Sequence, residues 1–269
     1  MQYSKEQTMV KEVAQKLFAL VNRGLKDHLS TTSKTAAHDV VSPLDLAADR
    51  LLVRAVRTYF PHDAIITEES SPTTVLGASR TWVIDPICGS KNASRGIRLF
   101  VTNMALVVDR RVVAAWVIDY NRGRILWCTG GLVYDGKRRI ASLKNRAMFP
   151  MVDANQGYLH LLPPSVRKSY GNVIQDLYNN RSLAINSLRS SLSFALISTD
   201  QMQGSITPNI NIWDFAAGAF LIEQNGGLVT NFDGSPWNLN SRSLVLSANR
   251  GLHRRLLRVI AKHRLQSLV

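Results

Sequence analysis

Val83-Ile84-Asp85-Pro86-Ile87-Cys88-Gly89-Ser90 is the stretch that decides how this chain is read. It is a hydrophobic strand ending in a carboxylate, then a tight turn, then a Gly-Ser step suited to opening a helix. A turn of this kind can hold a metal ion on the carboxylate and an anionic group on the freed backbone N–H groups. Cys88 is the unusual member, a soft thiol among groups that suit hard, oxygen-loving cations.

On the N-terminal side, residues 6–27 carry Val10, Val13, Leu17, Leu20 and Val21 at helical spacing, which predicts an amphipathic helix. Residues 44–59 repeat the pattern after the helix-start signal Ser42-Pro43. A short strand over 64–67 runs into Glu68-Glu69, and 81–85 is the next strand. Strands over 103–108, 112–119 and 124–127 follow, joined by turn-like Asp109-Arg110-Arg111 and Tyr120-Asn121-Arg122-Gly123, so this part reads as an antiparallel meander. Beyond it, 164–179 and 212–225 read as helices, with short apolar strands at 182–185, 194–198 and 244–248. Gly226-Gly227 is a stop signal for the second of these helices. The expected division is an N-terminal α+β lobe over 1–145 and a C-terminal α/β lobe over 146–269, meeting near 140–150.

The chain is long enough, at 269 residues, to bury a large core, and 45% hydrophobic with 19% charged residues argues against disorder. No apolar run approaches the roughly 18 residues that span a bilayer. The first residues lack the apolar core of a secretory signal, and two cysteines make no disulfide framework. A reduced, cytoplasmic protein without a membrane partner is therefore expected. The net charge of +14 would draw in phosphorylated substrates or attract nucleic acid. Its densest concentration, from His253-Arg254-Arg255 to Arg264, reads foremost as the solvated face of a C-terminal helix.

The chain has only 19 acidic residues, and several stand where elements begin or end: Asp45 after a pre-helical turn, Glu68, Glu69 and Asp85 at strand ends, Asp214 in the first turn of a helix. Taken singly, each has an ordinary explanation, such as a helix dipole for Asp214 or solvation for Glu69. Their order, however, resembles the inositol monophosphatase family of Mg²⁺-dependent, lithium-sensitive phosphatases. The residues that carry the resemblance are Asp39 through Asp45, Glu68-Glu69-Ser70, Asp85-Pro86-Ile87-Cys88-Gly89-Ser90, Trp213-Asp214-Phe215-Ala216-Ala217-Gly218, and Gly226-Gly227 through Asp233-Gly234. Lys91-Asn92, Arg95-Gly96 and Ile118-Asp119-Tyr120 also look familial.

The resemblance implies a layered α-β-α-β-α sandwich, a homodimer, and hydrolysis of a small phosphate monoester such as inositol phosphate, a sugar phosphate or histidinol phosphate. A 3′-phosphonucleotide is a further possibility. By position, Glu68, Asp85 and the Ile87 carbonyl would hold a first Mg²⁺, and Asp85, Asp214 and residue 88 a second. Glu68 would share in a third. Ser90 and Asp45 stand where the family positions and deprotonates water, and the N–H groups of Gly89 and Ser90 where it cradles phosphate. Glu69, Arg189 and Thr207 are carried over to the substrate side, with Ser190 and Ser191 beside Arg189.

Two departures alter these expectations. The family carries an aspartate where this chain has Cys88, and a neutral thiol is a poor Mg²⁺ ligand, so the second Mg²⁺ should bind weakly or not at all. A thiolate there would favour Zn²⁺ or Mn²⁺ instead. Thr207 stands where inositol phosphatases tend to carry a glutamate for a sugar hydroxyl, and Ala93 replaces a common aromatic, so the alcohol recognised should differ. The alternative role is a degenerate member that binds RNA or a regulatory partner.

Overall fold

The computed structural model describes residues 3–25, 32–33, 40–71, 79–143 and 148–265. Helices α1 (Ser4–Gly24) and α2 (Pro43–Tyr59) form the first layer, with the short paired strands β1 (Thr32–Ser33) and β2 (Val40–Val41) between them in sequence. A capping box at Ser42 starts α2: the Ser42 N–H donates to Asp45 Oδ2 at 2.9 Å, and Pro43 follows in the first turn. Residues 26–27 of the helix expected over 6–27 lie outside the described residues, as does Asp39.

The second layer is a seven-stranded sheet in the order β3-β4-β5-β6-β7-β8-β9. Its strands are β3 (Ala64–Thr67), β4 (Arg80–Cys88), β5 (Val101–Val108), β6 (Arg111–Asp119), β7 (Arg124–Cys128), β8 (Val133–Asp135) and β9 (Arg138–Arg139). β3 and β4 are parallel and the rest form the expected antiparallel meander. Alternation sorts the side chains. Trp82, Ile84, Met104, Leu106, Trp116 and Ile118 face α1 and α2, while Val83, Val101, Ala105, Val107, Ala115 and Val117 face the opposite side. One turn of helix, α3 (Ser90–Ala93), follows β4.

The opposite side is covered by α5 (Leu192–Ser198) and α6 (Ile212–Gln224), whose Phe194, Ile197, Phe215, Ala219 and Ile222 share one core with it. The same core reaches Leu244 and Leu246 of a second, five-stranded sheet in the order β11-β10-β12-β14-β13. These strands are β10 (Met151–Ala154), β11 (Ala184–Asn186), β12 (Gly204–Thr207), β13 (Leu228–Asn231) and β14 (Leu244–Ser247). On its far face, Val152, Ile206 and Val245 pack with α4 (Pro164–Tyr178) and α7 (Arg250–Lys262). The layers thus run α, β, α, β, α.

One expected strand is a helix. Residues 194–198 lie in α5, where nearly every side chain is buried between the two sheets. A short run that is apolar on all sides carries no periodicity to separate strand from helix. Its contact with α6 is close enough that a Cβ on Gly218 would lie 2.6 Å from Phe194 Cβ, so the glycine of Trp213-Asp214-x-Ala-x-Gly serves packing.

Candidate active site

The chemistry gathers where β4 ends. Asp85 pairs in register with Asn103 and Cys88 with Val101, so β4 fits one more residue than β5 across that interval. The bulge falls on Pro86, which has no N–H to give to the ladder. The Pro86 carbonyl accepts instead from Thr102 Oγ1 at 2.6 Å, and Thr102 Oγ1 lies 2.8 Å from Tyr120 Oη. Gly89 then turns the chain at φ +112°, where a Cβ would lie 3.0 Å from both Leu99 O and Phe100 Cβ. This local geometry turns Asp85, Cys88 and Ser90 towards one cavity of about 130 Å³.

Glu68, Asp85, Ile87, Cys88, Gly89, Ser90, Arg189, Thr207 and Asp214 all line that cavity, so residues far apart in sequence converge there. Asp45 stands directly behind, fully buried, and accepts the Ser90 Oγ hydrogen bond on Oδ1 while Oδ2 takes the Ser42 N–H and hydroxyl. Ser90 Oγ is also 3.0 Å from the Ile87 carbonyl. Because serine has one hydroxyl hydrogen, the carboxylate takes it as the stronger acceptor, and the serine lone pairs stay open to accept from a third group. Glu69 does not line the cavity. It lies half-buried beside Glu68, its N–H donating to Thr67 Oγ1 at 3.2 Å. α3 is a single turn, so any anion at Gly89 and Ser90 would be held by individual N–H groups rather than by a helix dipole.

Asp85 is the centre of the electrostatics. It is fully buried, and neither carboxylate oxygen has a hydrogen-bond partner. Burial, with the charges of Glu68 and Asp214 beside it, pushes its carboxyl well above the usual range. Asp214 is pushed up to about 7 by burial, opposed by the Asn211 N–H that reaches its Oδ2 at 2.9 Å. Asp214 therefore starts α6 and faces the cavity at once. Cys88 Sγ lies 3.8 Å from Asp214 Oδ1 and accepts the Ser191 N–H at 3.2 Å. Burial first, then the charges of Asp85 and Asp214, raise the thiol well above its ordinary value, so it stands protonated and donates to Asp214.

One donor atom each from Asp85, Cys88 and Asp214 lies within 4.8 Å of the other two. Buried, partnerless carboxylate oxygens grouped this way fit a divalent cation. Glu68 and Ile87 also line the cavity, and the carboxylate of the first and the carbonyl of the second are oxygen donors of the same class.

The sequence reading missed the wall supplied by the loop after β10. Tyr158 Oη donates to Glu68 Oε1 at 3.4 Å, and Asn155, Gly157 and His160 line the same side. Burial and the charges of Asp214 and Glu68 raise the Tyr158 phenol, keeping it a neutral donor. The available signal was the Asn155-Gln156-Gly157 turn, where Asn155 Oδ1 accepts the Gly157 N–H at 3.0 Å. Asp119, by contrast, serves the 120–123 turn, accepting from Asn121 N at 2.9 Å and Arg122 Nε at 2.7 Å. Arg189 is an exposed residue at the rim, in a left-handed conformation (φ +53°) and bonded to Gln156. It is therefore on the surface and also borders the cavity.

The chain belongs to the inositol monophosphatase family, whose model matches residues 3–265. Among individual relatives, it is 28% identical over 249 residues to a putative Nus factor SuhB of Neisseria meningitidis, covering 89% of this chain and 91% of that one. It is likewise 28% identical to the fructose-1,6-bisphosphatase/inositol-1-monophosphatase of Thermotoga maritima, covering 84% of each. The crystal structure of the extragenic suppressor protein suhB from Bartonella henselae superposes with a TM-score of 0.86 at 21% identity. It covers 96% of this chain and 99% of that one, a likeness of fold.

Proposed function

We propose that this chain is a divalent-metal-dependent phosphatase acting on a small phosphate monoester. The observation that carries the reading is Asp85, buried with two partnerless oxygens between Glu68 and Asp214 at the floor of a cavity. A bound cation would supply charge to a dianionic phosphate and would acidify water. Asp85, Glu68 and the Ile87 carbonyl are the residues that would hold it. Ser90 accepts a hydrogen bond from the attacking water. As water gives its proton to Ser90 Oγ, the serine proton passes to Asp45 Oδ1, to which it is already hydrogen-bonded. Lys91, Arg189 and His160 also line the cavity and would bring basic groups to an incoming anion. Thr207, fully buried and 3.3 Å from Ser205 Oγ, offers a hydroxyl rather than a carboxylate to the leaving alcohol, which supports an alcohol other than myo-inositol.

The test is phosphate release from a panel of phosphate monoesters with Mg²⁺, Mn²⁺ and Zn²⁺, set beside Cys88→Asp and Ser90→Ala. Turnover that needs metal and falls in Ser90→Ala is the expected result. No turnover with any metal, in the natural chain and in Cys88→Asp alike, would overturn the reading.

A second reading, a binding role towards RNA, has one observation of its own. Arg254, Arg255 and Arg258 of α7, with Arg181 nearby, form a basic face, and Lys262 on that face is paired with Asp176 at 2.6 Å. Relatives named Nus factors are consistent with it. Steeply salt-dependent RNA retention without turnover would favour this role, and retention that ignores salt would remove it.

A further inference from the structure

We infer that the position facing Asp214 is a mixed thiolate–carboxylate site, built from Cys88, Asp85 and Asp214, that selects a zinc-class ion (Zn²⁺, Co²⁺ or Cd²⁺) over Mg²⁺. The inference rests on the reading that this cavity holds divalent metal, and it names which kind. Three features carry it. The first is the donor set: one sulfur and two carboxylates within 4.8 Å of one another. Sulfur prefers zinc and its softer neighbours, while Mg²⁺ is bound almost wholly through oxygen.

The second feature is the spacing. A tetrahedral zinc with Zn–S about 2.3 Å and Zn–O about 2.1 Å sets sulfur and oxygen about 3.6 Å apart. Cys88 Sγ and Asp214 Oδ1 are 3.8 Å apart, so an ion can replace the thiol hydrogen between them with little movement. The third is the unsatisfied partner: both Asp85 oxygens are buried without a hydrogen bond and stand in the same cluster. The Ser191 N–H, 3.2 Å from Sγ, is placed to stabilise sulfur once it carries negative charge. The step balances as thiol plus M²⁺ giving metal thiolate plus one proton released to solvent.

The experiment titrates Co²⁺ into the full chain stripped of metal and follows the sulfur-to-cobalt charge-transfer absorption in the near ultraviolet. The band should saturate at one ion, disappear in Cys88→Ser, persist in Cys128→Ser, and be displaced by Zn²⁺ but not by excess Mg²⁺. Cys128 is buried in β7 and does not line the cavity. Cys88→Asp keeps an anionic ligand without sulfur. It should show no band, weaken Co²⁺ and Zn²⁺ relative to Mg²⁺ by about tenfold or more, and report by circular dichroism that the fold is intact. Absence of the band, its survival in Cys88→Ser, or equal displacement by Mg²⁺ overturns the inference. A sulfur band without phosphate release from either the natural chain or Cys88→Asp would sink the phosphatase reading alone. Mg²⁺-driven release without a band would sink this one alone.

Discussion

Replacing Asp85 by asparagine should stabilise the metal-free protein and remove its response to metal. Donor oxygens of Asp85 and Asp214 lie within 4.8 Å. Two unit charges at that distance, in an effective dielectric of about 20, repel by about 3 kcal/mol. Partial protonation relieves some of this, because Asp214 is pushed up to about 7 and Asp85 is also raised. The asparagine amide would, in addition, donate to carboxylates that now face one another. The expected gain in chelator is on the order of 1–2 kcal/mol. With metal at about a hundredfold over its dissociation constant, the natural chain gains about 2.7 kcal/mol and the variant little, so the order of stabilities inverts. Acid should mimic the substitution. Both carboxyl groups are raised above the ordinary 3.8 in the folded state, so their contribution is full below about 4; that of Asp214 is lost as pH rises through about 7, and that of Asp85 as pH rises through its own raised value. Urea denaturation of both proteins, with chelator and with saturating metal at pH 5 and 8, reads all of this. A variant less stable than the natural chain in chelator, or equally stabilised by metal, would refute the idea that these carboxylates are held close for a cation.

Ser90→Ala should lower turnover by about 10²- to 10⁴-fold while leaving metal affinity unchanged, measured by phosphate release and by metal titration. Gly218→Ala should cost about 1–3 kcal/mol in chemical denaturation, because its Cβ would meet Phe194 at 2.6 Å between two buried helices. His253, buried between Ser247 and Thr230, is held down to about 4 by burial, so the stability it confers is present above about 6.5 and lost as pH falls towards 4. His253→Asn should flatten that acid limb by on the order of 2 kcal/mol after allowing for partial solvation of the ring, read as the change in urea midpoint between pH 7 and 4.5.

Elements with a clean period were legible in the sequence. The strand over 64–67 is β3 residue for residue, and the helices over 44–59 and 212–225 are α2 and α6 to within one position. In each, one face is apolar or the run is bounded by a cap, so local pattern and burial agree. The strands β10 and β12 were not legible. Met-Val-Asp-Ala and Gly-Ser-Ile-Thr are short and interrupted by polar residues, and their Asp153, Ser205 and Thr207 are buried only because partners from other segments meet them. Asp153 takes the Leu188 N–H at 2.8 Å, a contact that no local pattern announces. The site divides the same way. Glu68, Asp85 and Asp214 stood out because carboxylates at strand ends and helix starts are few in a chain with 19 acidic residues. Tyr158 and Asn155 did not, since a tyrosine in a loop has no chemistry until the fold sets Glu68 within 3.4 Å of it.

Position 88 shows why the sequence alone left the site open. An aspartate there would add another carboxylate to a group that already holds Asp85 and Asp214 above their ordinary values, and without metal it would deepen the repulsion. The thiol removes that charge, donates to Asp214 and accepts from Ser191, so it satisfies two neighbours while the cavity is metal-free. It also packs with Val101 and Leu192 in the shared core, which a charged group would do only at a desolvation cost. A thiol at 88, compared with an aspartate, thus trades attraction for a hard cation against stability of the metal-free cluster. It leaves Asp85, which has no such partner, as the group whose burial is best compensated by a cation.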